Sequence, residues 1–138
     1  MEQGSLHELV QVARLESSSR GFRHTGIYHL LWAIWKSQPD LFSAWLQLYR
    51  VEIPPFVKMM ETILRPRRAG GGVPRDRIDA ELLERALAAA DKLAGERGES
   101  TEVDHLFDVF PSLPEDPIVS LCQRFSLDYR PRTQPAGE

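Results

Sequence analysis

The stretch HTGIYHLLWAI, residues 24–34, decides how this chain folds. After Gly26 nearly every side chain is large and apolar, and His29 alone interrupts the run. A helix that is apolar on all of its faces is usually the buried centre of a helical bundle. We therefore expect a helix over about residues 26–36, surrounded by the other helices of the protein.

A shorter echo of this stretch, TEVDHLFDVF, occupies residues 101–110. One offset places His105 on His29 and runs without a gap from Thr25 to Ile53, matching apolar positions with apolar positions. One added residue upstream also aligns the two Arg-Gly pairs. The residues that carry the repeat are Gly21, His29, Leu30 and Leu31 in the first half and Gly98, His105 and Leu106 in the second. Self-similarity at a fixed spacing predicts duplication of one structural unit.

Helical spacing and capping signals predict helices along most of the remaining chain. The first is capped by Ser5 and ends near residues 17–20, with Gly21 available as a left-handed terminator. Others are expected from Pro39, over 56–64, from Asp79, over 104–110 and over 118–125. We predict an all-α fold of two pseudo-repeated four-helix-type units in a single domain, 1–138. Its parts are repeat one at 5–65, a flexible linker at 66–77, repeat two at 78–129 and a tail at 130–138.

The totals exclude several classes of protein. A chain of 138 residues is long enough for one domain with a hydrophobic core. The net charge of −3 gives no general attraction to nucleic acid or to an anionic membrane. A single cysteine, Cys122, rules out an internal disulfide framework. Neither a signal-peptide pattern nor a membrane-spanning run is visible, so we expect a cytoplasmic protein without membrane contact.

The repeat resembles the N-terminal domain of the Clp-type AAA+ unfoldases. That domain repeats a glycine, a Glu-His-Leu-Leu core and a short closing turn, here written as Gly21 with HLL at 29–31 and Gly98 with DHL at 104–106. The resemblance covers about residues 6–129. Tyr28 and Asp104 stand where the family has glutamate, and the closing turns LYRVEI and RFSLD lack the usual glycine. The chain thus resembles a divergent member, similar to the Clp ATPases of type VI secretion.

This resemblance implies a non-catalytic domain that docks adaptors or substrate segments for an unfoldase or disaggregase. The partners would be proteins or peptides, such as an adaptor, a substrate or a helix like those of a secretion sheath. AAA+ ATPase modules would lie in the same chain or in another, so an excised N-terminal domain and a stand-alone adaptor both stay open. Glu8, Glu16 and Arg20 would orient the docked segment.

An aromatic stripe on the apolar helix leaves two interpretations open. Tyr28, Trp32 and Trp35 follow helical spacing and suit either core packing or one wall of a partner groove. The amphipathic first helix and Phe22 would border the same groove. The predicted partner-binding residues are Leu6, Leu9, Val10, Phe22, Tyr28, Trp32 and Trp35.

No constellation in the sequence indicates catalysis, a cofactor or a metal. His24 and His29 are five positions apart, which is off the spacing that lets two helical histidines share a metal. We interpret His29 and His105 as structural, hydrogen-bonded to backbone of the preceding helix. Cys122 reads as a small core residue. The serines at 17–19 lack a glycine elbow, and the glycines at 70–72 are not followed by the Lys-Ser or Lys-Thr of a phosphate-binding loop.

A basic cluster lies between the predicted repeats, in the sequence RPRRAGGGVPRDR. Its members are Arg65, Arg67, Arg68, Arg75 and Arg77. One interpretation is a solvated loop between repeats. The alternative is a small helical regulator that binds nucleic acid through residues 65–77. No aromatic residues interleave with the arginines and the whole chain is acidic, so the first interpretation is favoured.

Overall fold

Helices make up the secondary structure of the computed structural model, which describes residues 6–66 and 74–130. The helices of these ranges are α1 (Leu6–Ser19), α2 (Ile27–Ser37), α3 (Pro39–Gln47), α4 (Ile53–Ile63), α5 (Pro74–Glu96), α6 (Val103–Val109) and α7 (Pro117–Arg124). A short 3₁₀ helix, Phe110–Ser112, follows α6. No β-strand occurs in the described part of the chain. The predicted all-α fold is confirmed.

Two helices begin earlier than the sequence predicted. α4 starts at Ile53, because the prolines that follow it fit a first helical turn, where N–H groups lack intrahelical partners. α5 starts at Pro74, so the predicted linker is wrong over residues 74–77, which are helical. The Ser5 cap, residues 67–73 of the linker and residues 131–138 of the tail lie outside the described ranges.

The helix α2 lies at the centre of the protein, as its composition predicted. All residues from 27 to 34 are buried, and α2 packs against α1, α3, α4 and α5. Full burial of one Leu or Ile side chain stabilises the fold by about 1.5–3 kcal/mol. The consecutive buried residues of α2 therefore contribute substantially to the packing of the core.

Aromatic rings join the first half of the chain to the second. The ring centroids of Phe42 on α3 and Phe107 on α6 are 6.2 Å apart, and Trp45 stacks on Phe107 at 5.0 Å. Phe107 in turn meets Phe110 edge-on. One hydrophobic core cluster consequently includes side chains from all seven helices.

Four residues of the described chain that follow helix ends adopt positive φ. Gly21 follows α1 with a φ of 83°, and Gly98 follows α5 with a φ of 68°. Arg50 and Ser126, in the turns after α3 and α7, have φ values of 56° and 57°. Left-handed residues end helices by letting the next N–H groups reach back to free carbonyls.

The hydrogen bonds after these residues follow one pattern. The N–H group of the next residue donates to a carbonyl five positions earlier, at 2.9 Å after both Gly21 and Gly98. The corresponding distances after Arg50 and Ser126 are 3.3 Å and 2.8 Å. Helix ends that align in the sequence repeat therefore share their local geometry.

Candidate functional site

The side chains predicted to line a docking groove lie mostly inside the protein. The buried members of the set are Leu6, Leu9, Val10, Phe22, Tyr28 and Trp32. Trp35 is partly buried, and its ring centroid lies 5.7 Å from that of Phe42. The burial of these residues favours core packing over an open groove, because α1 turns its apolar face onto α2 and the two faces cover each other.

Tyr28 shows what the aromatic stripe does instead. Its hydroxyl donates a 2.8 Å hydrogen bond to the carbonyl oxygen of Pro117, in the first turn of α7. Burial raises the pKa of this hydroxyl, so it stays neutral and able to donate. The hydroxyl of Tyr49 reaches the same helix end and donates to Oδ2 of Asp116 at 2.7 Å. Both tyrosines therefore fasten α7 to the first half of the chain.

Arg20, expected to help orient a partner, is engaged within the protein. Its Nε donates to Oε2 of Glu16 at 2.8 Å. Its Nη1 donates to the carbonyl oxygen of Leu64 at 2.8 Å, just beyond the end of α4. Carbonyls at a helix C-terminus lack intrahelical donors, so this contact satisfies one of them. Arg20 thus joins the ends of α1 and α4.

The outward face of α1 carries two large apolar side chains that sequence analysis did not select. Val12 is 49% exposed and Leu15 is 73% exposed. Residues three apart are neighbours on a helix surface, so the two form one small apolar patch. Both fall outside the buried stripe of α1. Apolar residues off the helical spacing of the core are the sequence signal that could have predicted their exposure.

Both repeat histidines have structural contacts. The backbone N–H of Gly26 donates to Nδ1 of His29, and that of Glu102 donates to Nδ1 of His105, at 3.0 Å in both cases. The backbone partner is thus the residue before each histidine's own helix, rather than the preceding helix as predicted. Nε2 of His105 donates to Glu99 at 2.7 Å. In residues 6–66 and 74–130, no group of three or more His, Cys, Asp or Glu side chains could hold a metal ion.

Cys122 is buried in α7, where the sequence predicted a small core residue. Burial, with a smaller contribution from Asp116, raises the pKa of its thiol to about 11. The thiol is therefore protonated at neutral pH, whereas the thiolate is the reactive form of cysteine.

The basic cluster is divided by the fold. Arg75 lies in the first turn of α5, where Nε donates to Asp79 at 3.1 Å and Nη2 donates to Glu115 at 2.6 Å. Arg77 is exposed, with its Nε 4.0 Å from Glu81. Arg65 is exposed beyond α4, and Arg67 and Arg68 lie outside the described ranges. Arg75 is therefore not part of a solvated loop, and its charge is shared between two carboxylates.

Asp79 is the most perturbed carboxylate in this network. Burial raises its pKa to about 6, although Arg75 and Arg124 favour the charged form. Glu115 behaves differently: burial opposes its ionisation, but hydrogen bonds from Arg75 and Ser120 hold its pKa below the usual value. Ser120 donates to Glu115 at 2.7 Å. The network joins α5 to α7 across the core edge, a contact that sequence spacing does not reveal.

A cleft of about 270 Å³ opens where the end of α4, the start of α5 and the end of α7 meet. Its cationic side chains are Arg65, Arg75 and Arg124. Ile63 and Phe125 supply apolar wall, and Asp79 lies at the α5 side. The cleft therefore combines positive charge with apolar surface. Of its lining residues, sequence analysis singled out only Arg65 and Arg75, as members of the basic cluster.

A wider cleft of about 660 Å³ lies beside the start of α6 and is acidic. Its carboxylates are Glu99, Glu102, Asp104 and Asp108. Trp45 Nε1 donates to Asp104 at 3.0 Å, and Arg97 lies 3.7 Å from Asp108. Glu102 and Asp104 lie at the N-terminus of α6, where the helix dipole stabilises carboxylates, so these two residues have a structural reason for their positions.

Comparison of this chain with protein-family models, curated proteins and solved structures found no match. Among the described residues, no helix combines the length and the apolar character needed to cross a membrane.

Proposed function

We propose that this chain is a non-catalytic protein-docking domain of the kind found at the N-terminus of Clp-type AAA+ unfoldases. It would be built from two copies of one helical unit, would act in the cytoplasm and would bind adaptors or substrate segments. ATP-driven unfolding would belong to modules of the same or another chain.

The observation that carries this proposal is the matching geometry of the two histidine junctions. In both halves a left-handed glycine ends a helix, and a histidine then accepts a hydrogen bond from the residue before its own helix. The left-handed glycines and the histidines of these junctions are the residues that carry the sequence resemblance. A turn, a cap and a buried apolar core recur in the same order, with offsets that differ by one residue, and duplication best explains this recurrence.

The docking surface of this proposal is the outward face of α1, since the residues first predicted are buried. Val12 and Leu15 would pack against the apolar face of an amphipathic partner helix, as in helix-in-groove recognition. Glu8 lies on the same helix and would favour a basic flank on that partner, whereas Glu16 is already paired with Arg20.

The experiment is a two-dimensional NMR titration of the labelled chain with a short amphipathic peptide of leucine, alanine and lysine. We expect saturable chemical-shift changes centred on Val12 and Leu15. Leu15→Glu should abolish them by placing a charge in the apolar contact. Leu48→Glu, at another exposed leucine, is the matched control and should bind like the wild type. Equal binding by both variants would overturn the proposed surface.

The nucleic-acid alternative receives no specific support from the geometry. Arg75 is neutralised by Asp79 and Glu115, and Arg77 lies beside Glu81. Titration with a short DNA duplex at two salt concentrations tests it directly, because phosphate contacts release counterions and weaken as salt increases.

A further inference from the structure

Two arginines of the cleft between α4, α5 and α7 have no carboxylate at ion-pair distance among the described residues, although Arg124 acts on Asp79 and Glu115 at longer range. Within residues 6–66 and 74–130, neither Arg65 nor Arg124 enters an ion pair or a side-chain hydrogen bond. Both are exposed, and both line the cleft. Arg75 differs from them, because Asp79 and Glu115 already occupy its guanidinium.

We propose that this cleft binds an acidic peptide segment of a partner protein, with carboxylates paired to Arg65 and Arg124. Guanidinium groups bind carboxylates through paired donors in a fixed fork, which gives orientation as well as attraction. This site goes beyond the docking function proposed above, since it lies on other helices and requires a partner of opposite charge.

The apolar walls specify more than a small anion. Ile63 and Phe125 line the cleft beside the two arginines, and the guanidinium carbon of Arg124 lies 5.8 Å from the Phe125 ring centroid. An arginine that lies over an aromatic face can keep its donors free for a carboxylate. The segment that fits therefore alternates a carboxylate with an apolar side chain.

Aspartates in the cleft argue against a nucleic-acid strand. Asp79, paired with Arg75, lines the cleft, and so does Asp76, which also has a polar partner. A continuous phosphate backbone would bring charge against these carboxylates at every nucleotide. A peptide can instead place one or two carboxylates on the arginines and present uncharged groups to the two aspartates.

The cleft is also preformed by contacts that hold its three helices together. The Arg75 guanidinium, held by Glu115 and by Ser120 at 3.1 Å, fixes the start of α5 against α7. Arg20 fixes the end of α4 through the Leu64 carbonyl. Preformed sites bind with a smaller entropic penalty than sites that must be ordered by their ligand.

The test is an NMR titration of the whole labelled chain with a short peptide that alternates glutamate with leucine. We expect saturable shifts at Ile63, Arg65, Arg124 and Phe125, weakened by added salt. Arg65→Glu and Arg124→Glu should each bind at least about tenfold more weakly, because they place like charges in contact. Arg124→Gln provides a second variant that introduces no repulsion within the fold.

Matched controls separate this site from general attraction. Arg85→Glu changes an exposed arginine of α5 outside the cleft and should bind like the wild type. Leu15→Glu should also bind normally, so failure of the α1 surface and failure of this cleft are distinguishable. The same peptide with glutamine for glutamate should not bind.

Three outcomes would overturn the proposal. The first is absence of saturable shifts at the cleft residues with the wild-type chain. The second is equal loss of binding in Arg85→Glu and Arg65→Glu, or equal binding of the glutamine peptide. The third is tighter binding of a DNA duplex than of the acidic peptide at the same residues.

Discussion

His29 and His105 both place Nδ1 3.0 Å from the backbone nitrogen of the residue three positions earlier. That residue, Gly26 or Glu102, is the N-cap of the helix that the histidine belongs to. The first N–H groups of a helix have no intrahelical partners, and a side chain at the third position commonly satisfies one of them. Histidine here performs a task that glutamate or glutamine usually performs.

This relationship predicts the effect of substituting His105. His105→Ala should lower the free energy of unfolding by about 2 kcal/mol, through loss of a buried side chain and of the capping acceptor. His105→Asn should recover about 1 kcal/mol of that loss, because its side-chain oxygen can occupy the position of Nδ1. Urea unfolding followed by circular dichroism measures both. Equal stability of the two variants would show that the acceptor contributes nothing.

Gly98 and Gly95 offer a matched pair with opposite expected signs. Gly98 has a φ of 68°, and a Cβ added there would meet no atom within 4 Å, so Gly98→Ala should cost about 1 kcal/mol through backbone strain alone. Gly95 is helical, with equally open space, and Gly95→Ala should stabilise by about 0.5–1 kcal/mol. The thermal unfolding midpoints of the two variants give the sign of each stability change. A stabilised Gly98→Ala would contradict the left-handed turn.

Ser126 and Arg50 hold left-handed conformations without being glycine. Such a conformation costs an L-residue about 1 kcal/mol, whereas glycine adopts it freely. Ser126→Gly and Arg50→Gly should therefore each stabilise the protein by up to about 1 kcal/mol. Lys92→Gly, within α5, is the control and should destabilise by about 1 kcal/mol. Denaturant midpoints compare the three, and loss of stability in Ser126→Gly would contradict the prediction.

These turns also show where sequence reasoning was informative. The resemblance expects a glycine in each closing turn, and the sequence LYRVEI has none. The chain nevertheless turns left-handed at Arg50, because the carbonyls at the end of α3 still require donors. The pattern predicts a left-handed residue in this turn, but it does not predict that an arginine adopts that conformation in place of glycine.

The core was predictable in its centre and ambiguous at its edge. The apolar run at 27–34 has no polar face, so its burial followed directly from composition. Tyr28 was ambiguous, because an aromatic stripe has the same spacing in a core and in a groove. Its partner, the Pro117 carbonyl, is distant in sequence. Contacts of this kind are set by tertiary packing, which local periodicity does not contain.

The start of α5 was missed for a related reason. Arg75, Asp76 and Arg77 look like linker residues beside a run of glycines. Pro74 at a first helical position was the available signal. The contact that holds this turn in place joins Arg75 to Glu115, far along the chain. The cationic cleft depends on the same contact, so only part of it was visible in the sequence.

Asp79 gives the protein a predictable response to pH. Its pKa in the folded state is raised to about 6, from an ordinary value near 3.8. Between these values the folded state binds more protons than the unfolded state, so the contribution of Asp79 to stability is greatest below about pH 4 and is lost as pH rises through about 6. The full loss is roughly 3 kcal/mol.

The substitution Asp79→Asn should remove this pH dependence. The asparagine oxygen can still accept from Arg75, while the buried charge is absent. The free energy of unfolding of Asp79→Asn minus that of the wild type should therefore increase from pH 4 to pH 7, by up to roughly 3 kcal/mol. Urea unfolding at both pH values measures this difference.

Glu84→Gln provides the control for that measurement. Glu84 lies on the exposed side of α5, with its carboxylate 4.0 Å from Arg14. Exposed pairs of this kind contribute at most about 1 kcal/mol, so the stability difference for Glu84→Gln should change little with pH. A stability difference for Asp79→Asn that stays constant, or decreases, from pH 4 to pH 7 would mean that burial does not oppose the charge of Asp79. The Arg75 contact would then compensate fully for the burial of this carboxylate.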